Sequence, residues 1–105
     1  MKFYKAAWGY EQTNIDFYVV VKETAKTVTL VEVEKDYKVI NTQNTEVTPN
    51  IESAEKAIEA YNNDKKSVKA IRRTIKNCFA EPTVKIDGTK YASLYQGNKA
   101  VETLR

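Results

Sequence analysis

Histidine is missing from this chain of 105 residues. Its absence removes the side chain that titrates near neutrality, and with it Ser-His triads and the commonest metal ligand. A single cysteine, Cys78, excludes an internal disulfide and a zinc site built from several thiolates. Three glycines and two prolines leave few places where a turn is forced. Neither a P-loop nor a Gly-rich dinucleotide turn is present. No apolar run approaches the length of a membrane span. Met1-Lys2-Phe3-Tyr4-Lys5 leads into no apolar stretch of the secretory kind. The expectation is a cytoplasmic protein, one domain over 1–105, with no membrane association. No cofactor and no metal is expected, because the acids do not cluster at ligand spacing.

What is present fits a small globular domain. Hydrophobic residues at 42% and charged residues at 30% allow a core and argue against disorder. Seventeen basic against fourteen acidic residues give +3, too mild a bias to argue for nucleic acid. Its sign does speak against an acidic mimic of DNA.

Strand signals dominate the first half. Residues 3–7 suggest a short strand. Ile15 to Lys22 is β-branched and aromatic, and Thr27 to Glu34 follows the turn Glu23-Thr24-Ala25-Lys26. The two segments read as an antiparallel hairpin. The Val31/Val33 pair suggests a bulge in the second segment. Tyr37 to Ile40 is a third strand and Thr45 to Thr48 a fourth, placed at an edge. Asn50 can cap a helix, with Glu52 in its first turn. Ile51, Ala54, Ile58 and Tyr61 then mark one helical face, so 51–61 reads as helix. Residues 67–79 fit two patterns. Val68, Ile71, Ile75 and Cys78 have helical spacing, slightly the better fit. Ile71, Arg73 and Ile75 against Arg72, Thr74 and Lys76 alternate as a strand does. Pro82 to Ile86, the turn Asp87-Gly88, and Lys90 to Tyr95 form a hairpin. Ala100 to Leu104 is a last strand. The fold class is α+β: a strongly bent antiparallel sheet of roughly five to seven strands, of barrel-like form, with one helix at 51–61. The N-terminal hairpin and residues 70–94 would pair through the Trp8 corner.

The densest chemistry lies in Trp8-Gly9-Tyr10-Glu11-Gln12-Thr13-Asn14-Ile15-Asp16-Phe17-Tyr18. It contains the only tryptophan and three donor–acceptor side chains in a row. Trp8, Tyr10 and Tyr18 can stack on bases or anchor a protein interface. Gln12 and Asn14 can read base edges or a partner's backbone. The same residues can instead build a tight corner. In that reading the ring packs on the core, the polar side chains satisfy turn amides, and Asp16 is a hydrogen-bond anchor. A second group, Lys65, Lys66, Lys69, Arg72, Arg73 and Lys76, can follow phosphates, meet an acidic surface or stay solvated. Tyr4, Tyr37, Tyr61, Tyr91 and Tyr95 are spread along the chain and suit core-edge packing. Cys78, beside Phe79 and Ala80, reads as a buried, inert thiol. Glu11, Asp16, Asp36 and Asp87 fall on different turns, so no carboxylate pair for acid–base work is expected.

The stretch Trp8 to Val20 resembles a family of short bacterial, phage and plasmid proteins. Those proteins open with a Trp-Gly-Tyr-Asp/Glu-Gln-Thr-Asn-x-Asp-Phe-Tyr-x-Val signature. Lys90-Tyr91-Ala92-Ser93-Leu94-Tyr95-Gln96-Gly97, with Glu102-Thr103, is similar to the family's closing Tyr-Ala-x-x-Tyr/Trp-x-Gly segment. Tyr95-Gln96-Gly97 stands where relatives commonly carry Trp-Asp-Gly. Residues 51–66 resemble an insertion. The family has no established activity, and the resemblance implies the setting of a mobile element. It also implies a strand over 70–76 paired with 82–87. Several unrelated anti-CRISPR proteins share this length and this lack of catalytic residues, an analogy rather than a motif.

The expected function is therefore that of a non-enzymatic binding protein of a mobile element, acting in the bacterial cytoplasm. It would inhibit a host defence nuclease of the Cas9 type, or its guide complex, by occupancy. The expected contact groups are Trp8, Tyr10, Gln12 and Asn14, with Arg72, Arg73 and Lys76 as a charged patch. The alternative is a small β domain that binds nucleic acid through the basic strip and aromatics. A homo-oligomeric accessory subunit is a third option, and the oligomeric state is left open.

Overall fold

A computed structural model describes residues 1–9, 13–77, 81–97 and 100–103. The first three strands, β1 (Phe3–Trp8), β2 (Asn14–Glu23) and β3 (Thr27–Val33), form an antiparallel meander. Its tight turn holds Thr24 and Thr27, whose hydroxyls lie 2.7 Å apart. The rest of the sheet comes from the second half of the chain. It consists of β6 (Ala70–Thr74) beside β3, β8 (Tyr91–Tyr95) beside β1, and β7 (Thr83–Lys85) outside β8. The order is β6-β3-β2-β1-β8-β7, six strands that curl into a nearly closed barrel.

Both faces of the central strands are buried. Tyr4, Ala6, Tyr18, Leu30, Val84 and Ala92 fill the inside. Phe3, Ile15, Phe17, Val19, Val31 and Val33 form a second core on the outside. A strand buried twice has no reason to alternate apolar with polar. Hence 15–21 and 28–33 read as nearly continuous apolar runs, and the Val31/Val33 pair signals two cores rather than a bulge in β3. The bulge lies on β2, where the register shifts between Val20 and Lys22. It turns Lys22 to pair with Thr29, on the outer face.

The outer core is covered by helix α1 (Ile51–Asn63) and a second sheet of β4 (Lys35–Val39), β5 (Asn44–Pro49) and β9 (Ala100–Thr103). Asn50 caps the helix as its sequence implies, its side chain accepting from Ser53 N at 2.7 Å. Ala54 and Tyr61 are buried and Ile58 packs beside them, but Ile51 stays exposed at the helix start. The segment 45–48 is not an edge. β5 lies between β4 and β9, and its Val47 is fully buried in the outer core.

Residues 70–74 are strand, not helix. The alternation of Ile71 and Arg73 against Arg72 and Thr74 prevails because β3 offers a ladder, from Thr27↔Thr74 to Val31↔Ala70. The expected partner, 82–87, is met only across the barrel seam. There Lys76 N donates to Thr83 O at 2.7 Å, and Thr83 N to Lys76 O at 3.0 Å. Arg73 spans the rest of the gap, its Nε donating to Lys85 O at 3.0 Å and its Nη2 to Ile86 O at 3.1 Å. The N-terminal and C-terminal hairpins pair through β1 and β8, from Phe3↔Tyr95 to Ala6↔Ala92, beside Trp8 rather than through it. Hydrogen bonds from a charged donor are worth about 1.5–3 kcal/mol each way of counting. Arg73→Ala is therefore expected to lower unfolding free energy by about 1.5–3 kcal/mol in urea titrations. The Lys76 and Thr83 amides should also exchange faster. An unchanged midpoint with unchanged exchange would mean that the seam closes without this side chain.

Candidate functional site

The Trp8 end of the barrel collects the charged groups that the strands leave at its rim. By alternation Trp8 follows Tyr4 and Ala6, and Asp16 precedes Tyr18, so both project from the inner face at the mouth. Trp8 Nε1 donates to Asp16 Oδ2 at 2.8 Å. The Lys90 ammonium, delivered by the turn between β7 and β8, donates to the same oxygen. It also lies 5.6 Å from the centre of the Trp8 ring and 5.4 Å from that of Tyr18. Both are cation–π distances.

A second ion pair joins this mouth to the outer sheet. Lys35, the first residue of β4, donates to Glu102 of β9 and to the carbonyl of Ile15. Glu102 Oε2 accepts from Ile15 N at 2.9 Å. The Lys35 ammonium is 3.9 Å from Asp16 Oδ1. Two lysines and two carboxylates thus neutralise one another, with side chains only 15–18% exposed. Burial pushes the Tyr18 phenol above its usual range; Lys90 opposes the rise, while Glu32 and Asp16 add to it. Burial alone would pull Lys90 down, but hydrogen bonds to Asp16 and Tyr18 and their charges outweigh it, so it ends above its usual value.

The expected contact residues scatter around this mouth. Trp8 is 47% exposed although its indole nitrogen is bonded. Asn14 is half-buried and pairs with Trp8 in register. Tyr10, Gln12 and Cys78 lie outside the described residues. Arg72, Arg73 and Lys76 do not form one patch. Arg72 is exposed on the outer face, Arg73 is committed to the seam, and Lys76 sits 6.0 Å from the Tyr91 ring centre. Asp16 is the hydrogen-bond anchor that its place beside Asn14 suggests. Lys35, Lys90 and Glu102 carry no local signal, since each meets Asp16 or its neighbour from a distant strand.

The apolar surface that the sequence does not announce is β4. Tyr37 is 61%, Val39 73% and the adjoining Ile40 44% exposed. β4 is also the end strand of its sheet. Asn50 N donates to Glu34 O and Ile40 N to Asn44 O, which sets the phase of the β4–β5 ladder. Antiparallel pairing alternates, so the amides of Lys35, Tyr37 and Val39 face outward with no strand beside them among the described residues. Tyr37 and Lys35, with the ammonium 5.7 Å from the ring centre, line an open groove of about 660 Å³ that reaches Asp16. One surface therefore runs from Trp8 across Asp16 and Lys35 to Tyr37. Among the described residues no group of three or more Cys, Asp or Glu side chains could hold a metal ion. Comparison with protein-family models, curated proteins and solved structures finds no match in any of the three.

Removing Asp16 would leave Lys90 without its carboxylate and Lys35 with Glu102 alone, both ammoniums largely buried. Breaking such a pair costs about 3–5 kcal/mol. Asp16→Ala is expected to lose that much stability in urea, with the Trp8 emission shifting red before the main transition. A loss below about 1 kcal/mol would mean the pair is effectively solvated. Alkaline pH tests the same cluster. Tyr18 and Lys90 hold protons more tightly when folded, so their contribution is complete below the unfolded values, about 10.0 and 10.5. It is lost as pH rises through the folded values, because the unfolded chain releases those protons first. Tyr18→Phe should thus flatten the fall in urea midpoint between about pH 9 and 11. An equally steep fall in the variant would remove Tyr18 from the account.

Proposed function

We propose that this protein is a non-enzymatic binding protein that works by occupancy, and that its target is a host defence nuclease of the Cas9 type or that nuclease's guide complex. The observation that carries the binding reading is β4, a strand edge unpaired among the described residues, with Tyr37, Val39 and the adjoining Ile40 in the open. Exposed apolar groups on an ordered strand, with outward amides between them, suit a partner that adds a strand or lays an apolar patch against it. Trp8 at the other end of the same surface supplies a second aromatic anchor. The titratable groups between them are engaged with one another, which suits a rigid contact surface better than proton transfer. The nuclease as target rests on the resemblance of Trp8 to Val20 to short phage and plasmid proteins. So does an assignment to the bacterial cytoplasm. No helix among the described residues is long and apolar enough to cross a membrane.

The rival reading, direct binding of nucleic acid, loses its continuous strip when Arg72, Arg73 and Lys76 part company. It keeps Lys22 and Arg72, exposed cations with no ion-pair partner among the described residues. Two assays separate the readings. Mixed with a guide-loaded Cas9-type nuclease, the protein should co-elute on size exclusion and stop target cleavage. Tyr37→Asp should weaken both effects roughly thirtyfold or more, the scale of a lost aromatic hot spot. No co-elution with undiminished cleavage would overturn the nuclease target. A gel shift with oligonucleotides at low salt, absent for the free protein, removes the rival.

A further inference from the structure

We propose that the outer face of the barrel, at the end remote from Trp8, carries a binding site for a single phosphate group. Three strands place Lys22, Thr29 and Arg72 in one row, because Lys22↔Thr29 and Thr29↔Arg72 are direct register partners. Adjacent strands lie about 4.8 Å apart, so the two cations flank the threonine with Cα atoms roughly 10 Å from each other. That span lets an ammonium and a guanidinium converge on one tetrahedral anion. Thr24, Thr27, Tyr61 and Ala70 complete a groove of about 260 Å³, and among the described residues no acidic side chain lines it. The volume holds one such anion with a few waters.

Two observations point to a ligand rather than a solvated face. Thr29 is 8% exposed, yet its hydroxyl has no hydrogen-bond partner among the described residues. No buried side-chain oxygen among them is sealed without a partner, so this hydroxyl opens to the groove that Thr29 lines. On this face of β3 Val31 and Val33 enter the outer core, whereas Thr27 and Thr29 line the groove and leave a hydroxyl to satisfy. The Thr29 hydroxyl gains from donating to an oxyanion. The second observation is that the cations are uncommitted. Like most lysines and arginines here, Lys22 and Arg72 have no carboxylate within 4.0 Å among the described residues, but these two alone flank an unpartnered, largely buried hydroxyl in one groove. Arg72 offers a planar fork and Lys22 a compact charge, the pair of donors that phosphate recognition commonly combines.

The site depends on the β2 bulge. Regular pairing would send Lys22 to the inside of the barrel, next in line after Val20. The extra residue, Val21, turns it outward to stand opposite Thr29. The row lies six residues along β2 from Asp16, about 20 Å away, and is separate from the Trp8–Tyr37 surface.

The test is a titration of the full chain with inorganic phosphate at constant ionic strength, followed by amide chemical shifts. Saturable shifts at Lys22, Thr29 and Arg72, absent with matched chloride, are expected. Lys22→Gln and Arg72→Gln should each weaken binding roughly tenfold, the loss of one charge-assisted hydrogen bond. Thr29→Val, which keeps the shape of the side chain and suits a strand, should weaken it several-fold. Two further ligands identify the source of the group. A nucleoside 5′-monophosphate that shifts the same amides while an oligothymidine without terminal phosphates does not indicates a small phosphorylated molecule. An oligothymidine that binds there more tightly, with steep salt dependence, indicates a nucleic-acid backbone. Absence of saturable shifts with all three ligands would overturn the proposal. So would phosphate-induced shifts that persist unchanged in the Lys22→Gln, Arg72→Gln double variant.

Discussion

Asp16 is the point at which the two halves of the molecule are tied. Its carboxylate takes the indole of Trp8 from β1 and the ammonium of Lys90 from the β7–β8 turn. Lys35, close to its other oxygen, binds Glu102 and so brings in β4 and β9. Five chain segments, most of them distant in sequence, therefore share one electrostatic junction where the barrel meets its outer sheet. The junction has no net charge, and its side chains are largely buried. Its worth to stability is modest, because desolvation offsets much of the attraction. Its worth to geometry is greater. It fixes the start of β4, and hence the angle at which the Tyr37 edge stands relative to the Trp8 ring.

The helix, the hairpins and the strand character of most segments are legible in the sequence because each is encoded locally. Asn50 caps, Ala54 and Tyr61 recur at helical spacing, and Asp87-Gly88 turns. Residues 70–74 are ambiguous because the deciding factor is the β3 edge, which no local pattern reveals. The second sheet is illegible for a similar reason: β5 pairs with β9, more than fifty residues later. The same limit applies to the site. Asp16 can be read as an anchor because Asn14 and Trp8 lie beside it in sequence. Lys35, Lys90 and Glu102 look like ordinary strand charges until the fold assembles them. Arg73 looks like part of a basic strip, yet its role is to bridge carbonyls across a seam.

The two cores also account for an otherwise odd composition. A chain this short with so little glycine has to bend a sheet without many kinks. Here the curl is supported from both sides, by Tyr4, Tyr18 and Leu30 within and by Phe17, Val33 and the helix without. Strands loaded on both faces cannot slip by one residue without exchanging the two cores. Register is thereby held by packing.

That makes the one place where the register does slip informative. At Val21 the backbone spends an extra residue, and everything beyond it in β2 changes sides. The bulge, not residue identity, decides which way Lys22 points. Paired regularly at the same length, Val21 would stand opposite Thr29 and Lys22 would turn inward, whereas a strand lacking Val21 would keep Lys22 opposite Thr29 with no bulge. In this barrel, the Val20–Lys22 step is where β2 can carry a spare residue while the side chains on either side of it stay opposite Leu30 and Thr29.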